Sequence, residues 1–110
     1  MLDCIFCKII AGELPAKIIY QDDKVVAFDD LYPKAPQHKL IVTRKHIATL
    51  NDITEDEKDL LGHMMYVAKN LAKELSIDEK GYRVVMNCNH DGGQVVYHIH
   101  LHLLGGRPMK

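Results

Sequence analysis

The sequence predicts an α+β domain: a mostly antiparallel sheet of five strands with one long helix and one short helix. Three observations carry that expectation. Five short segments rich in aliphatic and β-branched residues are separated by turn signals. A single stretch, Thr54 to Leu75, holds an apolar stripe of helical period. Finally, His98-Ile99-His100-Leu101-His102-Leu103-Leu104 alternates with period two, as a strand with one polar and one apolar face does.

Taken in order, Ile5 to Ala11 reads as a short helix that stops at Gly12, with Pro15 beyond it. Ile18-Ile19-Tyr20 and Val25 to Asp29 are strands, joined into a hairpin by the polar turn Gln21-Asp22-Asp23-Lys24. Pro33 and Pro36 interrupt the next stretch, and Lys39 to Thr43 is the third strand. Thr54 and Glu57 have capping-box spacing, with acids in the first turn of the long helix. Leu60, Leu61, Met64, Val67, Ala68, Leu71 and Leu75 form its apolar stripe. After Gly81, Tyr82 to Asn87 is the fourth strand. Asp91-Gly92-Gly93 turns the chain, and Tyr97 to Leu104 is the fifth strand, ended by Gly105-Gly106 and Pro108. Strand order does not follow from this pattern.

The 110 residues make one domain, long enough for a core without disulfide staples. A hydrophobic share of 47% and a charged share of 26% are ordinary for a globular chain. A net charge of −1 excludes the electrostatic footprint of a nucleic-acid polymer binder. No apolar run approaches the roughly 20 residues of a membrane span. Met1-Leu2-Asp3-Cys4 lacks the basic region and apolar stretch of a signal peptide, so a cytoplasmic protein is expected. Three cysteines, Cys4, Cys7 and Cys88, do not make a disulfide framework. Seven histidines are the compositional oddity.

The three alternating histidines would all face one side of a strand, leaving the backbone roughly 6.5–7 Å apart. Packing does not ask for such a row; a metal, a phosphate or nucleophilic chemistry does. Two readings stand side by side. His98 and His100 could be two ligands of one catalytic metal, with a third from elsewhere. Alternatively, a neutral imidazole nitrogen attacks phosphorus and forms a covalent intermediate that water cleaves. An unperturbed histidine is largely neutral near pH 7 and can serve without a strong base.

His98-Ile-His-Leu-His-Leu-Leu104 resembles the His-x-His-x-His-x-x signature of the histidine triad superfamily, and the surrounding chain is similar to its nucleotide-binding HINT branch. Matching stretches are Asp3-Cys-Ile-Phe-Cys-Lys-Ile-Ile10, Leu14 to Ile19, Pro36-x-His38, Lys45-His-Ile47, Asp91-Gly-Gly-Gln94 and Tyr97 to Arg107. The resemblance implies a HIT-like fold whose sheets join across a homodimer. It implies a hydrolase that binds a purine nucleotide (an AMP or GMP moiety) and acts on nucleoside phosphoramidates. Dinucleoside polyphosphate hydrolysis, or nucleotide sensing with weak catalysis, are the alternatives. His100 would be the nucleophile on the α-phosphorus. The carbonyl of His98 would set its tautomer, His102 would contact phosphate or leaving group, and His38 would be the fourth histidine of the site. Asn87 and the backbone at Gly93, Gln94 and Val95 would hold phosphate oxygens; a bare backbone at Gly93 allows close approach. Ile5, Phe6, Ile9, Phe28 and Leu31 would surround the base, and Asp30 would bond the ribose hydroxyls.

By the same resemblance, Cys4 and Cys7 with His46 and His98 would hold a structural zinc ion; two thiolates and two imidazoles suit a closed tetrahedral site. On residue type alone, Cys4-x-x-Cys7 is also compatible with a redox pair or two buried thiols. His63, His90 and Cys88 are expected to be an exposed helix residue, an exposed loop residue and an idle thiol. Two departures from the family pattern stand out. Val95 occupies the position where many relatives place serine, and longer relatives carry a tail beyond Gly105-Gly106-Arg107, whereas this sequence ends at Lys110.

Overall fold

The computed structural model describes residues 4–109. The signal-peptide reading of Met1 to Asp3, and Lys110, lie outside the described residues. The elements are α1 (Ile5–Ile10), β1 (Ile18–Gln21), β2 (Val25–Asp29), β3 (Gln37–Thr43), α2 (Lys58–Glu74), β4 (Tyr82–Val85) and β5 (His100–Gly105), with short 3₁₀ turns before α2 and before β5. The sheet runs β1-β2-β3-β5-β4, and every neighbouring pair is antiparallel. The α+β class and five-stranded sheet are therefore as the pattern predicts.

Strand alternation divides the core in two. Val25, Ala27, Ile41, Leu101 and Leu103 face α2 and pack against Met64, Val67, Ala68, Leu71 and Ala72. Val26, Phe28, Leu40 and Val42 face the other way and are covered by Phe6 and Ile9 of α1. The second face is thus only partly roofed by a six-residue helix. His100 and His102 lie on it, since Leu101 and Leu103 occupy the α2 side.

Several boundaries differ from expectation. The long helix begins at Lys58 because Glu55–Glu57 winds as a 3₁₀ turn. There the Glu57 carboxylate accepts from the Thr54 N–H (2.8 Å) and hydroxyl (3.0 Å). Strand β3 starts two residues early, at Gln37, and so takes in His38. Strand β4 stops at Val85, leaving Asn87 outside the ladder. The largest correction concerns β5, which starts at His100, not Tyr97. The Ile99 N–H donates to the Ile47 carbonyl (2.8 Å), so Tyr97 and His98 lie in a bend held by a different part of the chain. The three histidines do not form one row on one strand.

Candidate active site

Three rungs across the open face of the sheet place the polar groups. His38 pairs with Leu104, which pairs with Arg83; Leu40 pairs with His102, which pairs with Val85; Val42 pairs with His100. Helix α1 closes one end. The Phe6 ring meets Phe28 edge-on at 5.7 Å and His100 at 5.0 Å. Between them opens a cleft of about 520 Å³. Ile5, Phe6, Ile9, Phe28, Asp30, Leu31, Asn87, Gly93 and Val95 all line it, with His38, His100 and His102. The apolar set splits by burial. Phe6, Ile9 and Phe28 are core floor, whereas Ile5 (41% exposed) and Leu31 (71% exposed) are uncovered at the rim. His98 and Gln94 do not line the cleft.

Hydrogen bonds fix the tautomers. The His98 carbonyl lies 2.7 Å from His100 Nδ1; a carbonyl only accepts, so Nδ1 carries the proton and Nε2 keeps its lone pair. Burial pushes the His100 pKa down, so the ring stays neutral at pH 7. The Lys34 N–H donates to His38 Nδ1 (3.0 Å), which puts the His38 proton on Nε2. That nitrogen lies 3.0 Å from His102 Nδ1 and 3.3 Å from Asp30 Oδ2. Donation to His102 Nδ1 leaves the His102 proton on Nε2, the other edge of the ring. Burial, then the neighbouring His100 and His38, push His102 down to about 4. Burial also lowers His38, against the pull of Asp30. Asp30, His38 and His102 are close enough to share a cation, but the proton on His38 Nε2 makes them a hydrogen-bonded chain.

A second cluster sits behind the cleft. His98 is fully buried, and its Nε2–H donates to the Thr43 carbonyl at 2.6 Å. Its Nδ1 lone pair therefore faces Cys4 Sγ (3.2 Å), Cys7 Sγ (3.6 Å) and His46 Nδ1 (3.2 Å), with Cys7 Sγ 3.4 Å from His46 Nδ1. Tetrahedral bonds of about 2.05 Å to nitrogen and 2.3 Å to sulfur give edges of about 3.3 Å between nitrogens and about 3.5 Å between nitrogen and sulfur. The four donors match those edges, and together they could hold a metal ion. Burial, then the adjacent Cys4, raise the Cys7 thiol, and burial pushes His98 down to about 4. A divalent cation reverses the first effect by stabilising thiolate. With His98 turned into this cluster and His100 Nδ1 held by a carbonyl, the two rings do not converge on one catalytic metal.

The chain matches the model of the HIT domain over residues 11–109. It belongs to the HIT domain family. It is 51% identical over 107 residues to a purine nucleoside phosphoramidase of Escherichia coli K12, covering 97% of this chain and 90% of that one. Its fold superposes on a HIT family hydrolase from Legionella pneumophila with a TM-score of 0.96 at 52% identity, covering 98% and 96% of the two chains. A zinc-bound histidine triad family protein from Mycobacterium smegmatis gives a TM-score of 0.83 at 30% identity, over 96% of this chain and 76% of that one.

Within this HIT domain, the cleft is also lined by residues outside the set expected from the sequence. Tyr32 and Lys34 come from the β2–β3 loop, Arg83 and Val85 from β4, and Val96 and Leu104 from the β5 region. Lys34 also acts through its backbone, by fixing the His38 tautomer. Thr43 orients His98 in the same way. Only the register of β4 against β5 reveals Arg83 and Val85. Val95 is 86% exposed at the cleft mouth, with no hydroxyl to offer. Of the residues given the plainer reading, His90 is exposed, Cys88 is a free half-buried thiol, and His63 is half-buried, its Nε2 donating to Asp22 (2.7 Å).

Proposed function

We propose that this chain is a homodimeric hydrolase of purine nucleoside phosphoramidates, working through a covalent nucleotidyl-histidine intermediate. The observation that carries the reading is the 2.7 Å bond from His100 Nδ1 to the His98 carbonyl, which presents a neutral Nε2 lone pair to the cleft. That lone pair attacks the α-phosphorus, forming a P–N bond to the ring as the P–N bond to the leaving amine breaks. His102 Nε2–H supplies the proton that the amine takes away. Water then attacks phosphorus and returns the missing proton to His102, the bond to His100 breaks, and the nucleoside monophosphate leaves. Asn87 and the backbone at Gly93 and Val95 face the phosphate oxygens, Asp30 takes the ribose hydroxyls, and Phe6, Phe28 and Leu31 flank the base. The purine preference is supported by the Escherichia coli relative.

Zinc fits Cys4, Cys7, His46 and His98, where it would supply structure, joining α1 to the approach to β5. The zinc-bound relative supports that choice of ion. Homodimer formation is supported by the sheet edges. Strand β1 carries a bulge between Ile18 and Tyr20, which protects that edge, whereas β4 pairs regularly with β5 and leaves its other edge open. No helix among the described residues is long and apolar enough to cross a membrane. The unpaired cysteines suit a reducing cytoplasm.

The test is turnover of an adenosine phosphoramidate with acid-quench trapping of the adduct. Wild-type protein should release AMP and carry a labelled His100, and His100→Ala should do neither while still binding AMP. Turnover by His100→Ala would overturn the mechanism. Faster cleavage of a diadenosine polyphosphate would instead favour that substrate class, and binding with neither turnover nor adduct would mark a sensing module.

A further inference from the structure

We infer that Gln94 is a positioning residue for the loop at the phosphate end of the cleft, acting through backbone geometry without touching substrate. The inference rests on the reading of residues 87–95 as the phosphate end. Between residues 89 and 95, Gln94 is the single buried side chain; the others are exposed. It is 7% exposed, and its carboxamide is fully used. Oε1 accepts from the Asn89 N–H (2.8 Å), while Nε2 donates to the Ala48 carbonyl (2.8 Å) and the Val96 carbonyl (3.1 Å). Its own N–H donates back to the Asn89 carbonyl (3.1 Å), closing the loop on itself.

Asn89 shows why such an anchor is needed. It lies at φ 60°, ψ −175°, a region that is essentially reserved for glycine. A strained residue in an exposed loop persists only if something over-determines it, and here the Asn89 N–H is captured by Gln94. Gly93 follows in the left-handed region at φ 84° and, with Val95, faces the cleft. The Gly93 N–H is spent on the His90 carbonyl (3.0 Å), so the backbone donor offered to phosphate is the Val95 N–H, which can meet it only while the loop keeps this shape. Gln94 therefore transmits the fixed position of Ala48, in the segment after β3, to the Val95 N–H beside it.

The experiment compares AMP and adenosine affinity in wild type and Gln94→Met, which fills the same space without the three hydrogen bonds. Loss of loop geometry should weaken AMP about tenfold or more, the scale on which small misplacements act. Adenosine binding should change less than twofold. Asn89→Gly added to Gln94→Met should restore part of the AMP affinity, because glycine holds that conformation without strain. If Gln94→Met does not fold, Gln94→Asn serves; it is one methylene too short to reach both Ala48 and Asn89. Equal losses for AMP and adenosine, or no loss, would overturn the role of Gln94 and leave the phosphate site standing. Wild type that binds AMP no better than adenosine would overturn the phosphate reading itself, and this inference with it.

Discussion

Acid should unfold this protein through His102, and replacing that ring with glutamine should remove part of the effect. Free histidine titrates near 6.5, and in the fold burial and the neighbouring His100 and His38 bring His102 down to about 4. Between those values the unfolded chain binds a proton here that the folded chain does not, so stability is complete above 6.5 and drains as pH falls toward 4. The slope is about 1.4 kcal/mol per pH unit for one such group. From about pH 7 to about pH 4.5 some two units of that window are crossed, giving roughly 2–3 kcal/mol. His38, His98 and His100 are lowered as well, but they remain in both proteins. The quantity to measure is therefore a double difference: urea unfolding of wild type and His102→Gln at both pH values and one protein concentration. Wild type should lose about 2 kcal/mol more than the variant over that interval. Parallel losses would refute the claim that His102 is held neutral by its surroundings. The same neutrality leaves its Nδ1 free to accept from His38, which keeps the proton on Nε2 for the leaving amine.

Cys4→Ser should abolish stoichiometric zinc by elemental analysis and lower the melting temperature; zinc retained at full stoichiometry would move the metal elsewhere. Phe6→Ala, which removes a buried ring packed on Phe28 and His100, should cost about 3 kcal/mol in denaturant unfolding and weaken nucleoside binding. An effect on nucleoside binding no larger than that of an α2-side core substitution would separate Phe6 from the base site. Asp22 accepts from the Lys24 and Val25 N–H groups, the Tyr20 hydroxyl and His63. Burial acts to raise its carboxyl, but these four donors hold it well below the usual range. Asp22→Asn should cost about 1–3 kcal/mol near neutral pH. That deficit should shrink as acid protonates the wild-type carboxylate, below its ordinary value near 3.8; a pH-independent deficit would count against the ionic role.

Much of the architecture could be read from residue order, and the exceptions have physical causes. Short aliphatic runs between turn residues located β2 and β3, which are buried on both faces, and the stripe from Leu60 to Leu71 located α2, because burial of one helix face imposes its period. Period-two alternation misplaced His98. Alternation continues through Tyr97 and Ile99, but Ile47 takes the Ile99 N–H, and no local pattern reports a partner 52 residues away. Cys4, Cys7, His46 and His98 were grouped by resemblance, and the fold does bring them together. The resemblance puts Gln94 among the phosphate contacts through the backbone from Gly93 to Val95, and is silent about its side chain. Its inward turn depends on the Ala48 carbonyl, which only the tertiary structure brings near. Arg83 and Val85 went unnoticed because a strand position says nothing of which strand lies beside it.

His46, Ile47 and Ala48 are three consecutive residues with three different duties. The ring of His46 enters the thiol cluster, the Ile47 carbonyl holds the chain just before His100, and the Ala48 carbonyl holds Gln94. Ligands that lean on one rigid strut have linked equilibria, and such linkage is reciprocal. Ion occupancy at the cysteines should therefore raise affinity for a nucleotide in the cleft, and the nucleotide should by the same factor slow the escape of the ion to a chelator.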